Sequence, residues 1–319
     1  MLSIFERLSR GGVIQKKHEA ELAQVNEKTV QRDIEGLRQY LGSSRSHQEG
    51  RPNIVYDRKK NTYYIDRCTK VWLTNQEVLA LVKILLESRA FAKEEIDGLI
   101  EKIITLSVPE EREHIKVVIQ NERHYYIAPK HNQSLFSKIW NLSKAVRRDR
   151  FVEIEYQQVS EPMPSRRIVM PRGLMFSEYY FYLIAYREDY GFNFPRIYRL
   201  DRIRNYTVMD ERFHLPDSKR FQEGEFRKRV QFMTPGSLMT IQFRFWGRSK
   251  EAVLDRLPTA TVVGNDGDVT IFEAQVYGEG IKMWLLSQAQ YLEVLKPLTF
   301  RDEMKRTIEE MVKNYNGGC

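Results

Sequence analysis

Three arginines, Arg196, Arg199 and Arg202, fall within seven residues, beside runs that carry Tyr180, Tyr182, Tyr186 and Tyr198. Guanidinium groups grip phosphates in pairs and stack on bases, while tyrosine adds a flat face and a hydroxyl. The mixture suits an organic anion with a ring, such as a nucleotide or a short single strand. Strand alternation sets a limit: Arg196 and Tyr198 face one way and Arg199 the other, with Arg202 just past the strand. A competing reading uses the same arginines in structural ion pairs with Glu153, Glu155 and Asp201.

A second cationic set lies near the N-terminus. At about 100° per residue, Val30, Ile34, Leu37 and Leu41 share one helical stripe, while Lys28, Arg32, Glu35 and Gln39 lie opposite and Gln31 sits on the flank. Asn26 is a good N-cap for this helix, since its side-chain oxygen can accept from the first-turn amides. Residues Lys16 to Ala23 supply a shorter helix, and Gln24-Val25-Asn26 has the length of the tight turn between two DNA-binding helices. A first helix spans Leu2 to Ser9 and stops at Gly11-Gly12. Beyond them, Ile54-Val55-Tyr56 and Tyr63-Tyr64-Ile65 read as a hairpin with Arg58, Lys59 and Lys60 at its tip, placed to touch a sugar-phosphate backbone. A solvated helix face and an ordinary charged turn are the competing readings of these cations.

The elements that follow change period twice. Leu73 to Leu86 and Lys93 to Leu106 read as apolar helices, so residues 68–128 are expected to form a helical connector that also pairs protomers. Asn132 to Arg147 is another amphipathic helix. From Phe151 the period becomes two, through Phe151–Tyr156, Arg167–Met170, Tyr179–Tyr186 and Arg196–Leu200, which suggests a small, strongly curved sheet or barrel. The last region, from about Met239, orders its elements β-α-β-β-α-β with a closing helix, a ferredoxin-like sequence with a hairpin turning at Asn265-Asp266-Gly267-Asp268.

Composition narrows the classes. With 319 residues and 42% hydrophobic content the chain can fill two or three cores. The net charge of +8 is weak evidence spread over that length, but its distribution favours anionic partners. Residues 1–67 carry 13 Lys/Arg against 9 Asp/Glu, and residues 125–210 carry 14 against 9, so two separate regions invite an anion. No run approaches the roughly 18 apolar residues of a membrane span, and the N-terminus lacks a signal pattern; a cytoplasmic protein is expected. Cys68 and Cys319 form neither a metal spacing nor a disulfide framework. The six histidines, His18, His47, His114, His124, His131 and His214, are scattered, and Walker, Gly-x-Gly-x-x-Gly and Gly-x-Ser-x-Gly motifs are missing. No catalytic residue, metal or cofactor is expected, and the chain reads as a binder rather than an enzyme.

The wording of the segments is more particular than their layout. Val25-Asn26-Glu27-Lys28-Thr29-Val30-Gln31-Arg32-Asp33-Ile34 resembles the recognition helix of bacterial DeoR-like winged helix-turn-helix regulators, with Asn26 for serine and Lys28 for arginine. Phe181-Tyr182-Leu183-Ile184-Ala185-Tyr186, followed by Arg196 to Ile203, resembles the signature of the WYL domain, with Phe181 where tryptophan is usual. Tyr156 and Pro171-Arg172-Gly173-Leu174 match that family's supporting pieces, and Met283 to Ser287 is similar to the tryptophan-containing helix of the WCX-type extension that follows many WYL domains. The resemblance implies an α+β multidomain chain. Its parts are a winged helix-turn-helix at 1–67, a helical connector at 68–128, a small Sm/SH3-like β-barrel WYL domain at 129–230, and a ferredoxin-like extension at 231–319.

It implies, further, a homodimeric transcription regulator on double-stranded operator DNA. Lys28, Thr29, Gln31 and Arg32 would stand nearest the bases or flanking phosphates, with Arg38, Arg58, Lys59 and Lys60 on backbone. A sensor pocket for a nucleic-acid or nucleotide-like effector would use Tyr156, Arg166 or Arg167, Tyr182, Arg196, Arg199 and Arg202. The alternative, from another class, is a nucleic-acid-dependent accessory factor whose WYL module binds single strands or RNA and activates a partner enzyme. Trp284 reads as core.

Overall fold

The computed structural model describes residues 1–9, 12–43, 53–66, 73–107, 109–187, 195–214, 221–234 and 236–316. Gly11, His47, Cys68 and Cys319, all weighed from sequence, lie outside the described residues. The chain divides into two compact units, Met1–Ser134 and Leu135–Cys319.

Unit 1 opens with three helices, α1 (Leu2–Ser9), α2 (Lys16–Leu22) and α3 (Glu27–Ser43), followed by the antiparallel pair β1 (Asn53–Asp57) and β2 (Thr62–Asp66). Asn26 caps α3, its Oδ1 accepting from the Thr29 amide at 2.9 Å. Val30, Ile34 and Leu37 are buried along one stripe of α3, against Ile4 and Leu8 of α1, Ala20 of α2 and Ile54 and Tyr63 of the hairpin. Removing a side chain such as Ile34 from water contributes about 1.5–3 kcal/mol, so this shared stripe holds the small module together. Ile14 adds a bridge to Tyr63, with both main-chain hydrogen bonds formed at 2.7 and 2.8 Å.

Three further helices complete the unit: α4 (Asn75–Ser88), α5 (Lys93–Ile104) and α6 (Arg112–His124). Thr74 and Glu77 form a reciprocal capping box at the start of α4, which satisfies two amides that would otherwise lack partners. Each helix buries a four-residue repeat, Val78-Val82-Leu86, Ile96-Ile100-Ile104 and Ile115-Ile119. Arg123 of α6 ties to α5 through Asp97 at 2.7 Å and Glu101 at 2.5 Å. Burial works to raise the Asp97 carboxyl, but the hydrogen bonds from Arg123 and Lys93 outweigh it and hold it below the ordinary aspartate value.

Unit 2 begins with α7 (Phe136–Arg147), then β3 (Arg150–Tyr156), β4 (Ser165–Ser177), β5 (Tyr180–Tyr186), β6 (Arg196–Arg199), a 3-10 turn at Leu200–Arg202, and β7 (Ile203–Arg212). The strands form one antiparallel sheet in the order β6-β5-β4-β3-β7. On one face Val152, Ile154, Val169, Leu183 and Ala185 pack under Leu142 and Ala145 of α7. The other face of β5 carries Tyr182 and Ile184 into a second cluster with Phe226 of α8 (Glu223–Arg229). A strand covered on both sides has no solvent face to alternate with, so Tyr182 to Tyr186 is an unbroken apolar run.

This sheet must curl. Its edge strands β6 and β7 would lie about 19 Å apart in a flat sheet at about 4.8 Å per strand, yet the four Cα steps from Arg199 to Ile203 reach about 15 Å at most. The expected barrel is corrected in one respect: among the described residues the ladder does not close between β6 and β7, because the 3-10 turn redirects the chain there instead of pairing them. β4 is also longer than its sequence suggests. Pro171 sits at a register shift between Pro171 and Gly173, where a missing amide costs the ladder nothing.

The remaining elements are β8 (Leu238–Phe245), α9 (Lys250–Arg256), β9 (Thr261–Asp266), β10 (Val269–Tyr277), α10 (Gly278–Ser287), β11 (Leu292–Lys296) and α11 (Leu298–Asn316). Their antiparallel sheet has the order β11-β8-β10-β9, the fourth-first-third-second arrangement of a ferredoxin-like βαββαβ unit. Gly267 turns the β9–β10 hairpin with φ +58°, a left-handed conformation that costs glycine little. Phe243 and Phe272 stack at 5.5 Å in the core, and Trp284 closes edge-on against Phe243 at 6.3 Å.

Candidate anion cavity and N-terminal cationic surface

The curl of the five-stranded sheet leaves a cavity of about 650 Å3. Tyr156 reaches it from the end of β3, Arg167 from β4, Arg187 from the residue after β5, Arg196 and Tyr198 from β6, and Arg202 from the 3-10 turn. The loop residues Gln158 to Glu161 form its rim. Four guanidinium groups therefore face one carboxylate, Glu161, across this space.

The lining is partly prearranged. Tyr156 and Tyr198 meet edge to face at 5.1 Å, and the Arg167 guanidinium lies 5.4 Å from the Tyr156 ring centre. Arg167 also donates to Gln158 Oε1 and to Ser165 Oγ at 3.1 Å, and Glu161 stands 3.8 Å away. Burial raises the Tyr198 phenol above its ordinary range, although the nearby Arg187 and Arg167 pull it down. Tyr198 therefore stays a neutral donor at ordinary pH. Arg202 makes no ion pair among the described residues, so its charge is available to a guest.

The structure brings Tyr156, Arg167, Arg196 and Arg202 together and sends the other three expected ligand residues elsewhere. Arg199 turns away into a two-pronged bond with Asp201, Nε to Oδ1 at 3.1 Å and Nη2 to Oδ2 at 2.8 Å, and its guanidinium lies 3.3 Å from the Tyr180 ring centre. Tyr182 enters the apolar cluster beside Phe226, where burial pushes its phenol up to about 12. Arg166 is exposed on the opposite face of β4, across from Glu155 in the register. Sequence reasoning missed Arg187, Tyr198, Gln158 and Glu161 as lining residues. Tyr198 shares the parity of Arg196 and was the one with a usable signal.

At the other end of the chain, Lys28 and Arg32 project into solvent four residues apart on α3, with no ion pair among the described residues. Arg58, Lys59 and Lys60 are likewise exposed at the β1–β2 turn, which the Asp57 carboxylate shapes by accepting the Lys59 amide at 2.9 Å and the Lys60 amide at 3.3 Å. Three other expected contacts are engaged within the module. The Thr29 hydroxyl donates to Asn26 at 3.1 Å, while Gln31 accepts from the Tyr63 hydroxyl at 2.9 Å and donates to Glu35 at 2.9 Å. Arg38 donates to the Ile54 carbonyl at 2.8 Å and to Glu35 at 2.9 Å, with its guanidinium 5.7 Å from the Tyr63 ring centre. These bonds fix the hairpin against α3. Five cations then remain for an outside partner.

Among the described residues no group of three or more His, Cys, Asp or Glu side chains could hold a metal ion. No described helix is long and apolar enough to cross a membrane.

Comparison with known proteins adds family assignments to this geometry. Residues 138–208 match the WYL domain and residues 237–312 match the WCX domain. No curated protein matches the chain. Among solved structures, proteasome accessory factor B/C (PafBC) of Arthrobacter aurescens is 14% identical, with a TM-score of 0.32 over 96% of this chain and 46% of that one. The chain thus spans about half the length of that relative. A CRISPR Cas-related protein is 17% identical, with a TM-score of 0.41 over 75% of this chain and 72% of that one. The cavity's lining residues, Tyr156 to Arg202, fall within the first matched segment and the four-stranded sheet of the C-terminal part within the second, so the chain carries a WYL domain followed by a WCX domain.

Proposed function

We propose that this chain is a sequence-specific DNA-binding transcription regulator, acting in the cytoplasm, whose WYL domain senses a nucleotide or short nucleic-acid effector. In this reading residues 1–67 are a DeoR-like winged helix-turn-helix, 68–128 a connector that pairs protomers, 129–230 the sensor with an Sm/SH3-like roll, and 231–319 the WCX extension. The observation that carries it is the presence of two separate cationic surfaces of different shape. One is convex, a helix face and hairpin tip with Lys28, Arg32, Arg58, Lys59 and Lys60, which suits a duplex groove and its flanking phosphates. The other is concave, with arginines and tyrosines around about 650 Å3, which suits a smaller polyanion carrying a ring.

Pairing of protomers would set two copies of α3 about one helical turn apart, roughly 34 Å, on an inverted repeat. Leu81 and Ile84 of α4 and Val117 and Val118 of α6 are exposed and apolar, the kind of surface a dimer covers. Light scattering at micromolar concentration is expected to give the mass of a dimer, and a monomer would remove this part of the reading.

Fluorescence titration at one stated salt concentration tests the whole. The full chain should bind duplex from the region upstream of its own gene at least about a hundredfold more tightly than random duplex. Preference for single strands over every duplex would instead favour the accessory-factor reading, with the N-terminal module serving for protein contact.

A further inference from the structure

Lys138 lies on the first turn of α7, and its ammonium is directed inward, where it donates to the Leu200 carbonyl at 2.9 Å and the Ile203 carbonyl at 2.6 Å. These two carbonyls bracket the 3-10 turn that carries Arg202 into the cavity. An ammonium is a costly group to remove from water, and burial here pulls its pKa down against the attraction of Asp201. Long lysines at such a place ordinarily extend to solvent.

The same turn is held from two other sides. Asp201, itself almost wholly buried, is gripped by the Arg199 fork, and the Gln157 amide donates to the Arg202 carbonyl at 2.9 Å. The Tyr156 hydroxyl, on the cavity wall, accepts from the Arg199 amide at 3.4 Å. The turn thus has its main chain fixed while the Arg202 side chain is left without an ion pair among the described residues. That is the arrangement by which a flexible cation is held ready for a guest.

We infer that Lys138 is a positioning residue for the anion cavity: by holding both ends of the 3-10 turn it places Arg202. The chain enters unit 2 at Leu135, one residue before α7, so this lysine also joins the cavity to the helix nearest in sequence to unit 1. The inference rests on the proposed anion-binding role of the cavity, and a double-mutant cycle keeps the two apart.

The probe is a 5′-phosphorylated tetrathymidylate, titrated into the full chain. Lys138→Met should weaken binding about tenfold, since it removes the ammonium that ties the Leu200 and Ile203 carbonyls together and so frees the turn, and Arg202→Ala should weaken it at least as much. In the Arg202→Ala background Lys138→Met should then change affinity by less than about twofold, because the residue it acts through is gone. Equal affinity of Lys138→Met and the parent, or losses that multiply in the double variant, would overturn the inference. If Arg202→Ala itself binds like the parent, or the parent does not bind the probe, the cavity reading falls and takes the inference with it. Should Lys138→Met fail to fold, Lys138→Arg retains charge and donors in altered positions; a loss of about threefold that vanishes beside Arg202→Ala supports the same conclusion, and one that persists there contradicts it.

Discussion

Arg199→Ala should lower the stability of the full chain by about 3 kcal/mol in urea unfolding, the largest effect expected of any arginine near the cavity. Asp201 is 7% exposed, and Arg199 supplies its two-pronged partner. Removing the guanidinium leaves a carboxylate in the interior without its counter-ion, which costs more than the pair itself contributes. The packing of the guanidinium over Tyr180 is lost as well. Arg199→Lys keeps the charge but cannot reproduce the fork, so a smaller loss of about 1 kcal/mol is expected. An unfolding midpoint for Arg199→Ala equal to that of the parent would show that this arginine is not structural, and would return it to the set of ligand contacts suggested by the sequence.

The second large effect concerns DNA. Lys28→Ala combined with Arg32→Ala should reduce affinity for the operator about a hundredfold at fixed salt, the sum of two lost contacts of about 1–2 kcal/mol each. Where both side chains lie on phosphates, the dependence of log K on log salt should also become shallower by about 2, since each released counter-ion contributes about 0.9. Neither side chain is spent inside the module, so the unfolding transition should not move. Gln31→Ala should behave differently. It removes the acceptor of the Tyr63 hydroxyl, and a fall in stability is expected beside any change in DNA affinity.

How much of this was legible in the residues depends on burial. α3 could be read because one stripe is buried and the opposite face wet, so a single period of 3.6 is written into Val30, Ile34 and Leu37. The alternating strand β3 was legible for the analogous reason. β7 was not. It is an edge strand with exposed Arg204, Asn205 and Thr207 and little regular alternation, so nothing in Ile203 to Arg212 marks it as paired until its partner Tyr156 is placed beside it. α8 was missed because seven residues with one buried side chain, Phe226, leave no stripe to detect.

The cavity was half legible for a different reason. Parity along β6 separates Arg196 and Tyr198 from Arg199, and the structure places the first two on the cavity wall. The sequence offered Asp201 as a structural partner for these arginines but did not convey that Arg199 alone would take it, or that Arg187, just after an apolar run, would be carried by the curl to the same space. Such meetings depend on tertiary closure and have no period. Arg166 and Arg167 are adjacent and chemically alike, and only the register opposite β3 tells the outward from the inward one.

Two variants and two ligands test the central claim most directly. Operator duplex and 5′-phosphorylated tetrathymidylate would each be titrated, at one salt concentration, against Lys28→Ala/Arg32→Ala and against Arg202→Ala. The account predicts a crossed result: the first variant loses duplex about a hundredfold and keeps the short strand, while the second loses the short strand about tenfold and keeps duplex. Equal proportional loss of both ligands in both variants would contradict it, because one surface would then be serving both polyanions.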